Sequence, residues 1–217
     1  MEKKKLYYQF AGSCFLVIFM FLGYVVRFYP NWISGFDQTL TQIIRTPYPN
    51  LNTFFIWYTK FANPMTIAIL TLAFVVILFQ GKYYAETLWL SVNTVVFAGI
   101  GNSAIKLLFM RSRPSLDHLV TETSYSFPSG HSTGSVLFYG TLILLLPQFI
   151  KNRKLCLPLQ IILGVGIFFI GISRVYLGVH FPSDVLAGFC FGLAWLLMGY
   201  PIYLEKRFVW RFKNKQK

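Results

Sequence analysis

Residues 155–175 read LCLPLQIILGVGIFFIGISRV, and this stretch decides the fold. Arg174, near its end, is the single charged residue in it. A helix of about 20 apolar residues is long enough to cross the roughly 30 Å hydrocarbon layer of a bilayer. A strand of a membrane barrel would instead alternate apolar and polar residues. The stretch therefore predicts a membrane-spanning helix.

Five further apolar segments of similar length occur along the chain. They cover residues 6–28, 62–80, 84–108, 130–149 and 183–204. Lipid offers no hydrogen bonds to backbone groups, so each segment must satisfy its own as a helix. The sequence thus predicts an all-α integral membrane protein, a bundle of six transmembrane helices in which residues 1–217 form a single domain.

Composition supports the membrane class and argues against a nucleic-acid partner. The chain is 55% hydrophobic, its mean hydropathy is +0.55, and only 12% of its residues are charged, whereas a soluble domain carries about 25%. The net charge of +13 comes from basic residues that cluster between and after the apolar segments. That pattern is typical of membrane topology, so we expect contact with the bilayer and not with nucleic acid.

The distribution of basic residues predicts the orientation of the bundle. With the N-terminus inside, the inner segments hold 13 of the 20 lysines and arginines. Cytoplasmic loops carry such an excess, so we expect both termini to be cytoplasmic. The outer segment at residues 29–61 has apolar residues at the spacing of a short amphipathic helix lying at the membrane interface, namely Trp32, Phe36, Leu40, Ile43 and Ile44. Two interpretations of it stay open, a cap on the bundle and a mobile lid or lipid entrance.

A first polar motif, Lys106-x6-Arg113-Pro114, lies at the outer end of the third span. The two cations are seven residues apart, so on a continuing helix they would share a face. Pro114 disfavours helix at Arg113 and leaves that guanidinium free to turn inward. Two cations that reach along apolar side chains to the interface would look the same.

A second motif, Pro128-Ser129-Gly130-His131, opens the fourth span. Gly130 allows close backbone approach, and the free N–H groups of a helix N-terminus attract an anion. Ser129 would either cap the helix or donate its hydroxyl to a phosphate oxygen. His131 exchanges a proton near neutral pH.

The third motif, Ser173-Arg174-x5-His180-x3-Asp184, ends the fifth span and begins the sixth. His180 and Asp184 are four residues apart, on one face of the starting helix. A carboxylate there can hold one imidazole nitrogen and leave the other as a nucleophile, and Arg174 offers a fork for phosphate oxygens. Alternation of six spans brings all three motifs to the outer face.

We expect this site to bind phosphate without a metal or other cofactor. Zinc would require three or four clustered His, Cys or carboxylate ligands. His131, His180 and Asp184 are the candidates near the motifs, and the surrounding cations would repel a metal ion. His118, Asp117 and Glu122 we interpret as solvated residues of the outer loop.

The three motifs, in this order, resemble the signature motifs of the type 2 phosphatidic acid phosphatase superfamily, which also contains vanadium haloperoxidases and glucose-6-phosphatase. Every fixed motif position from Lys106 to Asp184 is present. The six-helix layout resembles that of bacterial membrane members of the superfamily. The resemblance implies a metal-independent membrane lipid phosphatase, active at the outer face of the plasma membrane.

The resemblance also implies roles for the motif residues. His180 would be the nucleophile that forms a phosphohistidine, and Asp184 would orient it. His131 would protonate the departing oxygen and later activate water. Five residues would hold the phosphate, namely Lys106, Arg113, Ser129, Gly130 and Arg174.

The physiological substrate stays open at this stage. Bacterial relatives suggest phosphatidylglycerophosphate or undecaprenyl diphosphate, and we favour the former. A lipid-to-lipid phosphotransferase would differ only in the acceptor, and a vanadate-dependent haloperoxidase would use the same pocket. A lipid or ion transporter would place ionisable groups in the middle of its helices, whereas here they lie at helix ends. The sequence does not predict an oligomeric state.

Overall fold

The computed structural model describes the backbone of residues 2–217 and the side chains from residue 5 onward, and this range contains helices and no strand. The helices are α1 (Glu2–Phe28), α2 (Pro30–Arg45), α3 (Asn52–Thr59), α4 (Pro64–Gln80), α5 (Tyr84–Ser91), α6 (Asn102–Phe109), α7 (Gly130–Phe149), α8 (Arg153–Tyr176) and α9 (Pro182–Phe212). A π-helical segment, Val92–Gly101, joins α5 to α6, and a 3-10 turn, Lys60–Ala62, follows α3. The predicted all-α class is confirmed.

Five helical stretches are long and apolar enough to cross a membrane. They are α1, α7, α8, α9 and the rod Tyr84–Phe109, which runs from α5 through the π-helical segment to the end of α6. A sixth span results if Asn52–Ala62 and Pro64–Gln80, which meet at a bend of 43°, are counted as one broken span. Each of the six predicted segments lies within one of these stretches, although the bent pair begins earlier, at Asn52, than the predicted 62–80. The orientation of the termini stays a prediction.

Helix α9 is the central element against which α1 and α7 pack. Phe19 and Leu22 of α1 lie in one buried cluster with Ala187 and Phe191 of α9. On the α7 side the backbones approach closely: a Cβ placed on Gly188 would lie 2.7 Å from the carbonyl oxygen of Ser129. Only glycine permits this approach, and it brings the start of α7 against the start of α9.

Helix α4 packs against the rod and the middle of α7. Its Ile67 and Leu78 share a buried cluster with Leu90 of α5 and Phe138 of α7. Along the N-terminal part of α4, however, a cavity separates this helix from the π-helical segment. The cavity is described below with the site.

The outer segment 29–61 forms two helices, α2 and α3, so the predicted amphipathic helix is confirmed as a helix. Trp32 and Ile43 of α2 are 72% and 61% exposed, whereas Ile33 and Asp37 on the opposite face are buried. A helix with such opposed faces suits the membrane interface. Its buried face rests on the bundle.

Helix α9 continues to Phe212, beyond the predicted end near residue 204. Arg207 Nε lies 2.9 Å from Oε1 of the fully buried Glu86 on α5. Tyr203 donates a hydrogen bond to the same carboxylate oxygen, at 3.0 Å. This ion pair holds the last turns of α9 against the bundle, and hydropathy alone does not reveal it.

Candidate active site

The connection between α8 and α9 fixes the position of His180. Gly178 adopts a positive φ of 77° just after α8 ends, a conformation that glycine adopts without strain. The N–H of His180 then donates to the Arg174 carbonyl at 3.3 Å. Pro182 begins α9, and the Phe181 N–H donates to Asp184 Oδ2 at 2.9 Å. His180 is thereby held just ahead of α9.

The two ring nitrogens of His180 face different partners. Nδ1 lies 3.5 Å from Asp184 Oδ2 and 3.3 Å from the hydroxyl of Ser126, which itself donates to Asp184 Oδ2. Nε2 lies 3.4 Å from a terminal nitrogen of Arg113. Burial lowers the pKa of His180 well below its ordinary value, although Asp184 acts in the opposite direction. The imidazole is therefore neutral at pH 7, and a neutral ring carries a lone pair for attack.

Three cations converge near His180, as the motifs predicted; Lys106 and Arg174 are buried, and Arg113 is partly buried. Lys106 is 8% exposed and donates to the Tyr125 carbonyl. Arg113 donates to the Val179 carbonyl at 2.7 Å, and burial lowers its pKa. The fully buried Arg174 donates to Thr59 Oγ1 on α3 at 2.6 Å. Together the three form a strongly positive pocket.

The route by which Arg113 reaches the pocket differs from the prediction. Helix α6 ends at Phe109, and Met110 follows in the left-handed conformation, with φ at 46°. Lys106 and Arg113 therefore do not share a helix face. The loop folds back, and Arg113 Nε donates to the Ser124 carbonyl at 2.8 Å.

A carboxylate lies within this cation cluster. Glu122 Oε1 accepts a hydrogen bond from Arg174, and its Oε2 lies 3.4 Å from Arg113. Oε1 is also 3.9 Å from Nδ1 of His131. The interpretation of Glu122 as a solvated loop residue is therefore wrong. Its position marks where the pocket holds negative charge.

The start of α7 brings Ser129, Gly130 and His131 to the same place. Ser129 Oγ accepts from the Ser132 N–H at 3.3 Å, so the capping alternative is confirmed. A Cβ on Gly130 would lie 3.1 Å from Nδ2 of Asn102 on α6, which shows how tightly the two helices meet. His131 is 7% exposed and borders the cavity. All eight predicted site residues thus lie together at one end of the bundle.

Two residues that no motif singled out join this cluster. Arg111, two residues before Arg113, lies 2.6 Å from Asp184 Oδ1 and 2.8 Å from Asp37 Oδ2. Asp37 comes from α2 and is 3% exposed. One feature of the sequence could have indicated Asp37. The chain has only seven acidic residues, and an acidic residue within apolar sequence usually pairs with a cation.

A cavity of about 1330 Å³ leads away from the site, between α4 and the rod. Near the site it is bordered by Lys106, Glu122, His131 and His180. Farther along, its walls are apolar and come from the two facing helices, namely Ile67, Leu72, Val75, Val95, Ala98 and Ile100. Leu72, Val95 and Ile100 are each more than half exposed, so the cavity opens sideways at the surface that faces lipid. One continuous space thus joins a cationic end to an apolar end.

Within the described residues, no group of three or more His, Cys, Asp or Glu side chains is arranged to hold a metal ion. The charged groups beside the two histidines are Arg113 and Asp184 at His180 and Glu122 at His131.

A helical membrane bundle with two histidines and three clustered cations at one end defines a class, that of membrane proteins equipped to bind phosphate esters. Residues 87–208 match the family model described as the PAP2 superfamily. The chain belongs to the PAP2 superfamily.

Similar proteins are named as phosphatases. Phosphatidylglycerophosphatase B of Bacillus subtilis is 33% identical over 183 residues, which are 80% of this chain and 86% of that protein. Undecaprenyl-diphosphatase BcrC of the same organism is 34% identical over 116 residues, or 46% of this chain and 55% of that protein. A crystal structure of a transmembrane PAP2-type phosphatidylglycerolphosphate phosphatase from B. subtilis matches with a TM-score of 0.79 at 27% identity, covering 91% of this chain and 97% of that one. The predicted superfamily, phosphatase class and multi-pass membrane architecture are confirmed.

Proposed function

We propose that this protein is a metal-independent lipid phosphate phosphatase that works through a phosphohistidine on His180. The observation that carries the proposal is the single cavity that joins the cationic pocket to an apolar space open toward lipid. A lipid phosphate has the same two halves, an anionic headgroup and apolar chains. The cavity can therefore hold the headgroup at His180 while the chains remain in contact with the bilayer.

The first chemical step is attack of His180 Nε2 on phosphorus. A bond forms between nitrogen and phosphorus as the bond to the lipid oxygen breaks. Asp184, on the Nδ1 side of the ring, orients the imidazole and stabilises the positive charge that develops on it. Lys106, Arg113 and Arg174 stabilise the charge on the transferring phosphoryl group, the contribution that dominates most phosphoryl transfer.

His131 is the proposed general acid and base. It gives a proton to the departing lipid oxygen in the first step. In the second step it takes a proton from a water molecule, whose oxygen attacks phosphorus and releases His180 and inorganic phosphate. The capped N-terminus of α7, with Ser129 and Gly130, contributes free N–H groups to the phosphate oxygens.

Glu122 has to yield its position when phosphate binds. Its carboxylate is bonded to Arg174 and lies near Arg113, two of the cations assigned to phosphate. Two anions cannot share these partners without repulsion. Glu122 lies in the loop between α6 and α7, where a displacement disturbs no helix.

Phosphatidylglycerophosphate is the substrate we favour, with undecaprenyl diphosphate as the alternative. Support comes from the B. subtilis phosphatidylglycerophosphatase B, which aligns over most of both chains. The undecaprenyl-diphosphatase aligns over about half of each. Both substrates have an apolar part long enough to enter the space between α4 and the rod.

We also propose that the site faces the outside of the plasma membrane and that both termini are cytoplasmic. The support is the distribution of lysine and arginine, since this orientation assigns 13 of the 20 to the inner segments, as the positive-inside rule expects. Phosphate would then be released on the extracytoplasmic side.

The experiment is phosphate release by detergent-purified protein in EDTA, with phosphatidylglycerophosphate, undecaprenyl diphosphate and phosphatidic acid compared at equal concentration. The His180→Ala variant is the blank. We expect release from at least one lipid, with the first preferred, and no dependence on added metal. Activity that is lost in EDTA and returns with magnesium would overturn metal independence. A folded protein that releases phosphate from none of the three would leave phosphotransfer to another lipid as the better hypothesis.

A further inference from the structure

An acidic residue of the outer segment, Asp37, is buried although α2 itself provides no partner for its charge. Asp37 lies in the middle of α2 and is 3% exposed. Burying a carboxylate is costly unless it is paired and hydrogen-bonded. Asp37 is fully paired: Oδ1 accepts from the Ser183 N–H at 2.8 Å, and Oδ2 accepts from the Ser183 hydroxyl at 2.8 Å. The Ser183 N–H at the start of α9 is thus hydrogen-bonded to a carboxylate from another helix.

The remaining partner of Asp37 is Arg111. One terminal nitrogen of this guanidinium lies 2.8 Å from Asp37 Oδ2. The other donates to Asp184 Oδ1 at 2.6 Å and to the Ser183 hydroxyl at 2.8 Å. The guanidinium also stacks over the Phe181 ring, with Cζ 4.1 Å from the ring centroid. A planar fork held by two carboxylates and a ring has one orientation.

This arrangement leaves neither oxygen of Asp184 free to turn. Oδ1 is held by Arg111, and Oδ2 accepts from the Ser126 hydroxyl and the Phe181 N–H. Oδ2 also faces Nδ1 of His180. The direction of the imidazole therefore depends on a carboxylate whose plane is fixed from its far side.

Asp37 and Arg111 lie behind Asp184 as seen from His180. Arg111 contacts Asp184 Oδ1, whereas His180 faces Oδ2, and Asp37 contacts the far nitrogen of Arg111. Neither can contact the phosphate group in the proposed mechanism. Any effect on the reaction must pass through Asp184.

We propose that Asp37 and Arg111 are positioning residues, which fix Asp184 and through it the attacking imidazole of His180. This inference rests on the proposed phosphohistidine function. It makes α2 part of the catalytic apparatus, and neither a passive cap nor a mobile lid. Opening of α2 would break the Asp37–Arg111 contact and release Asp184.

The test compares kcat, KM and vanadate inhibition of the full-length protein and two conservative variants, Arg111→Lys and Asp37→Asn. A lysine has one nitrogen and cannot bridge two carboxylates, and an asparagine keeps the shape of Asp37 without its charge. Loss of an outer hydrogen-bond partner of an active-site ligand commonly costs about 10- to 100-fold. We expect kcat to fall by that factor, while KM and the vanadate inhibition constant change by less than about threefold, since the phosphate pocket is untouched.

Two matched controls separate positioning from general damage. Arg27→Lys changes an exposed outer arginine that donates a hydrogen bond to the Phe109 carbonyl at 3.5 Å, and Asp117→Asn changes an exposed loop aspartate. Both should keep the wild-type kcat. The double variant Asp37→Asn/Arg111→Lys should lose no more than the worse single variant, because both act through Asp184.

The outcomes distinguish this inference from the function on which it rests. A wild-type protein inactive on every lipid phosphate would refute the proposed function. A wild-type protein that is active, with both variants at full kcat, would overturn the positioning role. A kcat loss accompanied by an equal loss of vanadate binding would also overturn it, since that pattern indicates a damaged phosphate pocket and not a turned imidazole. If one variant does not fold, the other decides by the same criteria.

Discussion

The two ring nitrogens of His180 have different surroundings and different proposed roles. Nδ1 is on the side of Asp184 and Ser126, and Nε2 is on the side of Arg113. The first side sets the orientation and the second faces the phosphate pocket. Because the ring is buried and neutral, it is ready for attack without first losing a proton.

Glu122 and phosphate compete for the same cations in the proposed mechanism. This competition predicts that removing the Glu122 charge strengthens the binding of a phosphate analogue. In Glu122→Gln the competing charge is gone, so vanadate, which resembles the phosphoryl group, should bind more tightly. An ion pair at a partly exposed site is worth on the order of 1 kcal/mol, so we expect an inhibition constant about three- to tenfold lower. Glu205→Gln, whose parent carboxylate pairs with exposed Lys5, is the control. Unchanged or weaker vanadate inhibition would contradict the competition.

The lowered pKa of His180 predicts how stability changes with pH. Unfolded histidine binds a proton near pH 6.5, whereas folded His180 does so only at lower pH. Below about pH 6.5 the unfolded state therefore binds more protons, and stability is lost as pH falls through that value. The drop in Tm between pH 7.5 and pH 5.5 should be smaller in His180→Asn than in the wild type. His118→Asn, at an exposed position, should show the wild-type drop, and equal drops in all three proteins would refute the prediction.

The sequence predicts the eight motif residues of the site because their spacing places them at the ends of alternating spans. It does not predict Asp37, Arg111 or Glu122 as members. Asp37 and Asp184 belong to separate helices, and their connection through Arg111 depends on how α2 folds back over the bundle. Glu122 lies in a loop whose path is set by the contacts of Arg113 and Lys106, which sequence spacing does not encode.

At the scale of elements, the feature that links the site to the bilayer is the gap between α4 and the π-helical segment Val92–Gly101. A π-helix is wound more widely than an α-helix, and such segments often occur at functional sites. Its wall of small residues, Ala98 and Gly99, leaves room where larger side chains would close the cavity. Hydropathy predicts the length of this span but not its winding, so the cavity could not be predicted from sequence.

Filling this cavity should weaken lipid binding while sparing the chemistry. A Cβ on Gly99 would meet only the Thr94 carbonyl, at 3.6 Å, so the backbone leaves room for a side chain to begin here. The leucine of Gly99→Leu would displace about two methylene groups of the lipid, which costs about 1.6 kcal/mol, or about 15-fold in KM. Turnover of a water-soluble aryl phosphate should be unchanged. Gly164→Leu on α8, where nothing lies within 4 Å of an added Cβ, is the control, and an equal KM in both variants would argue against this entrance.

At the scale of the whole molecule, the chain places its polar chemistry at one end and most of its positive charge at the other. If the bent pair α3 and α4 is one span, the candidate spans number six, and an even number of crossings predicts both termini on the same side. The number of passes follows from the sequence because hydropathy and helix length determine it. The bend of 43° does not, since it depends on how α3 packs on Tyr176 and Leu177.

The orientation can be measured with single cysteines in a variant whose three native cysteines are replaced by alanine. Asn50→Cys lies in the outer segment and Lys151→Cys in the connection between α7 and α8, both exposed. In intact cells, an impermeant maleimide should label the first and reach the second only after lysis. The reagent does not cross the membrane, and the positive-inside rule predicts that Lys151 lies in the cytoplasm. The reverse pattern would place the site on the cytoplasmic face.

The central claim is that His180 carries the phosphoryl group, and the most direct measurement is to trap and map that group. Protein mixed with lipid labelled by ³²P in its phosphate is quenched rapidly with alkali, digested and sequenced, in the wild type and in His180→Asn. The claim predicts alkali-stable, acid-labile label on His180 of the wild type and no label in His180→Asn. Phosphate release without label on His180, or label on another side chain, would contradict it.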